Sequence, residues 1–228
     1  MTSLFRNLAL AAIAVSLSST ALAQRVDWTK RYSMSNIGGF VMGKPDARTS
    51  LVEYISYTCS HCAEFTQKAA APLKINWIST GAINVEIRNA VRDRYDLTAA
   101  LLARCGGATK FFGNHHALFA NHDTWMKQVA AYDSKSKDRP PASIDDAIED
   151  IAANTGLYIL MQKRGFTRAQ LKSCLVDKPS REKILAMTQE AWEGVKISGT
   201  PSFVVDGRLL PGTHDWKGLQ PALPAPGK

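Results

Sequence analysis

Long apolar runs, repeats and blocks of one charge are nearly absent from the sequence. Outside residues 8–23, no stretch approaches the roughly 20 apolar residues of a membrane-spanning helix. No internal repeat occurs, and no low-complexity tract occurs beyond the C-terminal "PAPGK". Lysine and arginine outnumber aspartate and glutamate, 28 to 20, but acids lie between them, as in "RNAVRDRYD" (88–96). We therefore expect a mostly solvated charge and no nucleic acid partner.

Residues 1–23 have the pattern of a secretory signal peptide. Arg6 is their only charge, an apolar run follows it, and Ala-Leu-Ala at 21–23 has the form of a cleavage site. A membrane anchor is the alternative, but the run is shorter than a membrane span. We expect cleavage before Gln24 and a mature protein in the periplasm.

The hydrophobic pattern predicts a βαβ unit. Residues 51–57 form a nearly continuous apolar run, which is typical of a strand covered on both faces. After Cys62, apolar residues recur every four positions, which predicts a helix with a kink at Pro72. Residues 83–89 alternate apolar and polar side chains, as a further strand does.

The rest of the chain predicts a helical insertion and a return to the sheet. Residues 95–177 contain several helical patterns and no convincing strand. Two of the patterns run over 110–132 and 143–156, the second with Gly156 as a cap, and the loop "SKSKDRPPA" lies between them. A short strand is predicted at 40–42, and a hairpin at 202–210 turns at Asp-Gly. We therefore predict an α/β domain formed by 24–94 and 178–228, with a helical domain inserted at 95–177.

The stretch "CSHC" at 59–62 is the strongest chemical signal. The first turn of a helix carries unpaired N–H groups and about half a positive charge, which stabilise a thiolate. If a helix begins at Cys59, the pKa of its thiol falls, and His61 acts in the same direction. A stabilised thiolate makes the corresponding disulfide easier to give away. We predict Cys59 as the exposed attacking thiol and Cys62 as the buried resolving thiol.

A zinc site and a static disulfide are the alternatives for this stretch. Zinc normally needs four ligands from two clusters, but Cys105 and Cys174 have no Cys or His at ligand spacing. A disulfide across two residues is strained, which suits exchange better than structural cross-linking. The stretch therefore favours redox chemistry, without a metal or another cofactor.

Glu53 and Thr200-Pro201 extend the candidate site. Glu53 lies in the buried strand, where an ionised carboxylate is costly, so we expect a raised pKa and proton exchange with Cys62 through water. The alternative is a structural carboxylate satisfied by a basic neighbour. Pro201 precedes a strand and is a candidate for a cis peptide bond, and the backbone of Thr200 is suited to pairing with an extended substrate.

These features together resemble the DsbA-like thiol:disulfide oxidoreductases of the thioredoxin superfamily, over about residues 37–220. The resemblance implies a thioredoxin fold with a helical insertion domain. It implies the site roles of Cys59 as nucleophile, Cys62 as resolving cysteine, His61 as the residue that destabilises the disulfide, Glu53 as buried acid and Pro201 as the cis-proline after Thr200. The best-known oxidases carry proline in place of Ser60 and valine in place of Thr200, and threonine there resembles the isomerase members.

The resemblance also implies substrates and a partner. A periplasmic oxidase of this kind introduces disulfide bonds into reduced, unfolded exported proteins, and a DsbB-like quinone-linked membrane oxidoreductase reoxidises it. An isomerase or reductase kept reduced would use the same residues but usually dimerises through an added N-terminal domain. Because the mature chain has only a short lead-in before residue 37, we expect a monomer.

Two other classes remain as rivals. Glutathione-dependent kappa-type transferases share the fold with a helical insertion, but two exported cysteines in CxxC argue against them. A copper or zinc carrier would bind its metal through Cys59, His61 and Cys62.

The remaining cysteines and histidines have separate interpretations. Cys105 and Cys174 are 69 positions apart in the helical region, and an even number of exported thiols predicts a structural disulfide between them. A metal site formed by His115, His116 and His122 is disfavoured, because their spacing does not bring two rings together. His214 is interpreted as a helix N-terminal residue without chemistry.

Overall fold

The computed structural model describes residues 26–136 and 143–226. The predicted signal peptide at 1–23 lies outside the described residues, as does the "KDRPPA" part of the predicted loop, at 137–142. Within the described ranges, no helix combines the length and apolar character needed to cross a membrane.

A mixed sheet of six strands forms the centre of the fold, in the order β1-β2-β4-β3-β5-β6. The two central strands, β3 and β4, are parallel, and all other neighbours are antiparallel. Their bounds are Tyr32–Met34 (β1), Phe40–Gly43 (β2), Thr49–Ile55 (β3), Ile83–Asn89 (β4), Ser202–Val205 (β5) and Arg208–Leu209 (β6). The predicted central strand, the βαβ unit and the hairpin are confirmed. The edge strand β1 was not predicted, because three residues are too few to show the alternation of apolar and polar side chains that indicates a strand.

The central strand β3 is buried on both faces, as its apolar run predicts. Leu51 and Ile55 pack on the face covered by the first helix, whereas Val52 and Tyr54 belong to a smaller cluster on the opposite face. Glu53 points toward the first face, between its cross-strand neighbours Ile87 in β4 and Phe203 in β5. The sheet therefore holds an acidic side chain inside the main hydrophobic core.

The first helix, α1 (Ser60–Leu73), follows β3 after a four-residue turn. It begins one residue later than predicted, because Cys59 has an extended backbone and serves as the N-cap. Pro72 lies in its last turn, and the chain continues as a wider π-helical turn, Lys74–Ile78. The irregularity that the proline predicts is therefore present as a change of helix type.

In the part of the chain that the structure describes, eight more α-helices follow β4. They are α2 (Arg94–Ala103), α3 (Ala108–Ala120), α4 (His122–Ser136), α5 (Ile144–Asn154), α6 (Leu157–Lys163), α7 (Arg168–Leu175), α8 (Lys178–Gln189) and α9 (Trp216–Leu219). The stretch 110–132 is not one helix, because Asn121 ends α3 and α4 begins at the next residue. α6 was not predicted as a separate helix, because Gly156, interpreted as a C-terminal cap, also begins α6 with a left-handed backbone.

One hydrophobic cluster joins the sheet to these helices. It contains Ile55 of β3 and Tyr57 just after it, as well as Phe111, Trp125 and Leu171 from the helical region. The rings of Phe40 in β2 and Phe111 in α3 stack with centroids 4.2 Å apart. The division at residues 95 and 177 therefore stays a prediction, since the packing is continuous across it.

Cys105 and Cys174 form a disulfide that joins the end of α2 to α7, with Cα atoms 5.6 Å apart. The loop that it closes spans 69 residues, so the bond restricts the unfolded chain by about 4 kcal/mol in the chain-entropy account. We expect the double variant Cys105→Ala, Cys174→Ala to lose about that much free energy of unfolding in urea.

Wild-type protein treated with a mild reductant that opens only the Cys59–Cys62 pair is the matched control, and it should keep the stability contributed by the other bond. A double variant that unfolds within 1 kcal/mol of wild type, roughly the size of one hydrogen bond, would contradict the prediction.

Candidate active site

Cys59 lies where the chain passes from β3 into α1, and the segment before β5 covers it. Its sulfur is 3.1 Å from the backbone oxygen of Thr200, to which the protonated thiol donates a hydrogen bond. Only 4% of Cys59 is accessible, so the prediction of an exposed thiol is wrong. The cause is a contact between residues 141 positions apart, which no local pattern reveals.

The surroundings of Cys59 favour its ionised form. A hydrogen bond from the Cys62 thiol contributes most, followed by the Thr200 side chain, the Cys62 backbone N–H and the positive charge of Arg92. Together these groups overcome the cost of burial and lower the pKa of Cys59 to about 4. At neutral pH the sulfur is therefore a thiolate, the form that attacks disulfides and leaves them readily.

The Thr200–Pro201 peptide bond is cis, and the backbone oxygen of Thr200 contacts Cys59. The Thr200 hydroxyl is buried and has no hydrogen-bond partner among the described residues. When Cys59 loses its proton, its bond to the Thr200 carbonyl is lost, and the free hydroxyl is then available to donate to the thiolate. Thr200 therefore offers the Cys59 sulfur a carbonyl that accepts from the thiol and a hydroxyl that can donate to the thiolate.

Cys62 and Glu53 lie behind Cys59, shielded from water. Cys62 is fully buried, and burial, together with the ionised Cys59, raises the pKa of its thiol. Burial raises the pKa of Glu53 to about 8, so its carboxyl is mostly protonated at neutral pH. Among the described residues, Glu53 Oε1 has no hydrogen-bond partner, which argues against a carboxylate satisfied by a basic neighbour. The negative charge of Glu53, when present, further raises the pKa of Cys62.

Arg92 and Asp96 support the cysteine loop and were missed in the sequence. Arg92 Nε donates to Ser56 Oγ at 2.9 Å, and Asp96 Oδ1 accepts from the Tyr57 backbone N–H at 2.7 Å. Asp96 is fully buried, so the interpretation of "RNAVRDRYD" as solvated surface is wrong at this position. Burial raises the pKa of Asp96 to about 7. The order of the strands could have indicated these two residues. The carboxyl ends of the parallel strands β3 and β4 meet at one edge of the sheet, so residues that follow β4 lie near the cysteine loop that follows β3.

A polar groove of about 550 Å³ runs beside the cysteine pair. His61 is exposed on the first turn of α1 and forms part of its wall, with Glu64 and Lys68 farther along the same helix. The opposite wall is formed by Thr200 and the residues before α9. His61 is therefore placed to contact a bound chain, and its effect on the disulfide stays a prediction.

His214 holds the segment that covers Cys59, so its interpretation as a residue without chemistry misses a contact. Its Nδ1 lies 2.6 Å from the Pro201 carbonyl oxygen, which can only accept, so Nδ1 carries the proton. Its Nε2 is 3.4 Å from Ser198 Oγ. His214 thus connects the end of the groove to the Thr200–Pro201 segment.

We expect His214→Ala to raise the pKa of Cys59 by about half a unit to one unit. The reason is that one hydrogen bond, worth about 1 kcal/mol, holds the Thr200–Pro201 segment in the place where it stabilises the thiolate. His214→Asn keeps an N–H close to the place of Nδ1 and should leave the pKa near that of wild type. Thiolate ultraviolet absorbance against pH measures both. Ser198→Ala, which removes only the longer contact, is the control, and equal values for the Ala and Asn variants would count against the role.

The rings of His115 and His116 lie with their centroids 5.4 Å apart, and each of His115 and His122 has another polar partner. His115 Nδ1 is 3.2 Å from the Tyr57 hydroxyl, and His122 Nδ1 is 3.2 Å from Asp123 Oδ1. Across residues 26–136 and 143–226, no three side chains of His, Cys, Asp or Glu are grouped to hold a metal ion.

The fold and the cysteine pair define a thioredoxin-like α/β protein with additional helices. The family model described as Thioredoxin matches residues 35–225. The crystal structure of a protein-disulfide isomerase from Novosphingobium aromaticivorans is 36% identical, with a TM-score of 0.74 over 80% of this chain and 93% of that one. The structure of Wolbachia pipientis alpha-DsbA1 has the same fold, with a TM-score of 0.65 at 20% identity over 83% and 90% of the two chains. The chain therefore belongs to the thioredoxin family, and its fold is that of the DsbA-like members of the superfamily.

Sequence relatives carry names of the same kind. A Rickettsia bellii protein named as a protein-disulfide oxidoreductase is 33% identical over 167 residues, which are 73% of this chain and 56% of the relative. The chain spans about half the length of the first curated relatives that it matches. The likeness therefore concerns one part of those longer proteins.

Proposed function

We propose that the protein is a periplasmic thiol:disulfide oxidase that introduces disulfide bonds into exported proteins through Cys59 and Cys62. The observation that carries the proposal is the environment of Cys59, which lowers the pKa of its thiol to about 4. A group that stabilises the reduced thiolate weakens the disulfide by the same free energy. The oxidised pair is then a ready donor of its disulfide.

The reaction proceeds by two exchanges. A substrate thiolate attacks the Cys59 sulfur, the Cys59–Cys62 bond breaks, and a mixed disulfide joins Cys59 to the substrate. Cys62 leaves as a thiolate and takes a proton from Glu53. A second substrate thiolate then attacks the substrate sulfur, which forms the product disulfide and releases Cys59 as a stable thiolate.

The groove beside the pair suits an extended, unfolded substrate. The Thr200 backbone borders it, and its wall carries charges of both signs at Glu64, Lys68 and Asp215. An extended chain can pair its backbone with this edge, while mixed charge accepts varied side chains. Reduced, unfolded exported proteins are the proposed substrates, bound by a monomer. The site of action depends on the predicted signal peptide.

The reduced pair must be reoxidised in each cycle. The step removes two electrons and needs a disulfide or quinone acceptor, and we propose a DsbB-like quinone-linked membrane protein as the partner. The net basic charge of the chain does not oppose contact with an anionic membrane surface.

The redox equilibrium of the pair with glutathione tests the proposal. Alkylation followed by mass spectrometry reads Cys59 and Cys62 in the intact protein and leaves the Cys105–Cys174 bond in place. We expect a potential well above that of the glutathione pool. A strongly reducing potential would overturn the oxidase and assign the protein to the reductases or isomerases.

An isomerase is the second candidate, because the 36% identical structure is described as a protein-disulfide isomerase and Thr200 precedes the cis-proline. If the protein is an isomerase, its reduced form should restore activity to an enzyme with scrambled disulfides faster than its oxidised form oxidises a dithiol peptide. A metal carrier is tested by metal content after purification.

A further inference from the structure

A cavity of about 50 Å³ lies against the buried carboxyl of Glu53. Most of its wall is apolar, including Leu73 of α1 and Ile87 of β4. Its polar wall residues are Glu53, Thr66, Lys74, His115 and His116. A cavity needs about 10 to 15 Å³ to hold one water molecule with polar partners, so this one has room for a short chain of water molecules.

The cavity connects the interior to the surface. At its inner end, Glu53 is 4% exposed, and its Oε1 has no partner among the described residues. At its outer end, Lys74 and His116 are exposed to solvent. The cross-strand neighbours of Glu53 on the same face of the sheet are Ile87 and Phe203. Both side chains are apolar, so neither can pass a proton to Glu53.

A route to solvent is needed if Glu53 protonates Cys62 in each cycle. The carboxylate left behind is buried, and its charge disfavours a second transfer until a proton returns. Cys62 is fully buried, so it cannot collect that proton from solvent. The polar groups that face Glu53 are Cys62, Tyr57 and those of the cavity wall.

We propose that His116 is the outer group of a proton relay that runs from solvent through the cavity to Glu53 and Cys62. The inference rests on the proposed redox function of the pair. As the Cys59–Cys62 bond breaks, Glu53 gives its proton to the Cys62 sulfur. Glu53 then takes a proton from water in the cavity, His116 replaces that proton, and solvent reprotonates His116. Reduction and reoxidation of the pair use the route in opposite directions, and no electrons move along it.

His116 suits this role better than its neighbours. His116 reaches solvent, but its ring is partly buried, and this desolvation together with the nearby positive charge of Lys74 lowers the pKa of His116. The ring is therefore neutral at pH 7 and can both accept and donate a proton. His115 is bonded to the Tyr57 hydroxyl, and burial holds its pKa well below the usual range.

The test compares rate with equilibrium in the full chain. We expect His116→Ala and His116→Gln to slow oxidation of a dithiol peptide about tenfold at pH 7, the low end of the contribution of a positioned proton donor. An unprotonated Cys62 attacks the mixed disulfide again and expels the substrate, so slow proton delivery lowers productive turnover. Millimolar imidazole should restore the rate of the Ala variant. The glutathione equilibrium of the pair should stay at the wild-type value, because a relay changes the path and not the end states.

Lys110→Ala, on an exposed part of the same helix α3 and outside the cavity wall, is the matched control and should leave the rate unchanged. A wild-type rate in both His116 variants would overturn the relay, and so would a loss that imidazole fails to restore or a shifted equilibrium. Failure of the oxidase proposal is a separate result, since it appears in the wild-type glutathione potential. The relay remains testable in either case, because reduction of an insulin disulfide uses the same proton path in reverse.

Discussion

Reduced protein should keep Cys59 ionised down to about pH 4. An ordinary cysteine titrates near pH 8.5, so the thiolate fraction at pH 6 should be more than a hundred times that of a free thiol. The shift arises from donors that point at the sulfur, chiefly the Cys62 thiol and then the Thr200 side chain, and from the charge of Arg92. Thiolate ultraviolet absorbance, or the rate of alkylation of Cys59 against pH, measures it.

The same shift makes stability depend on pH. Because the folded pKa of Cys59 lies below the unfolded one, its stabilisation of the reduced protein is complete above about pH 8.5 and is lost as pH falls to about 4. The oxidised protein has no Cys59 proton to titrate. As pH rises from 4 to 8.5, the free energy of unfolding of the reduced form should therefore increase relative to that of the oxidised form. Cys62, whose pKa is raised, opposes the gain only at higher pH.

Two variants separate the causes. Thr200→Val removes the hydroxyl but keeps the side-chain shape, and it should raise the pKa of Cys59 by about one unit, the size of one charge-assisted hydrogen bond. Arg92→Gln should raise it less, because an exposed charge is screened. Arg94→Gln, two positions along the chain, is the control and should change nothing. An alkylation midpoint near pH 8 in wild type would contradict the whole account of the site.

The local parts of this site could be predicted from the sequence. The apolar run at 51–57, the cysteines at a helix start and the Asp-Gly turn each carry a pattern that depends on neighbouring residues. Those patterns predict β3, α1 and the β5-β6 hairpin within a few residues of their true ends. The strand β1 and the boundary between α3 and α4 at Asn121 were not predicted, because a three-residue edge strand and a one-residue break leave little periodic signal.

The parts that depend on distant contacts could not be predicted. The burial of Cys59 comes from Thr200, and the support of its loop comes from Arg92 and Asp96 in another segment. Glu53 illustrates both cases. Its position in a buried strand predicts a raised pKa, but only the fold shows that no basic group among the described residues satisfies Oε1. That missing partner explains why Glu53 should reduce stability while serving the reaction.

Glu53→Gln should stabilise the oxidised protein by about 3 kcal/mol at pH 7, because it replaces a buried acid by a neutral side chain of the same shape. The folded pKa of Glu53, about 8, lies above the unfolded value near 4.5. The destabilisation of the folded protein by Glu53 is therefore absent below pH 4.5 and grows as pH rises to 8. Urea unfolding at pH 4, 7 and 8 should show the two proteins equal at pH 4 and diverging above it.

The oxidised form is used because Cys59 then does not titrate. The exposed Glu64→Gln, on α1, should show no such divergence, since its carboxylate remains in water. The more stable Glu53 variant should nevertheless oxidise a dithiol peptide more slowly, because Cys62 has lost its proton donor. Stability and rate moving in opposite directions distinguish a functional acid from a structural one. Loss of stability at every pH would instead mean that the carboxyl holds the core together, and the proton relay would lose its inner end.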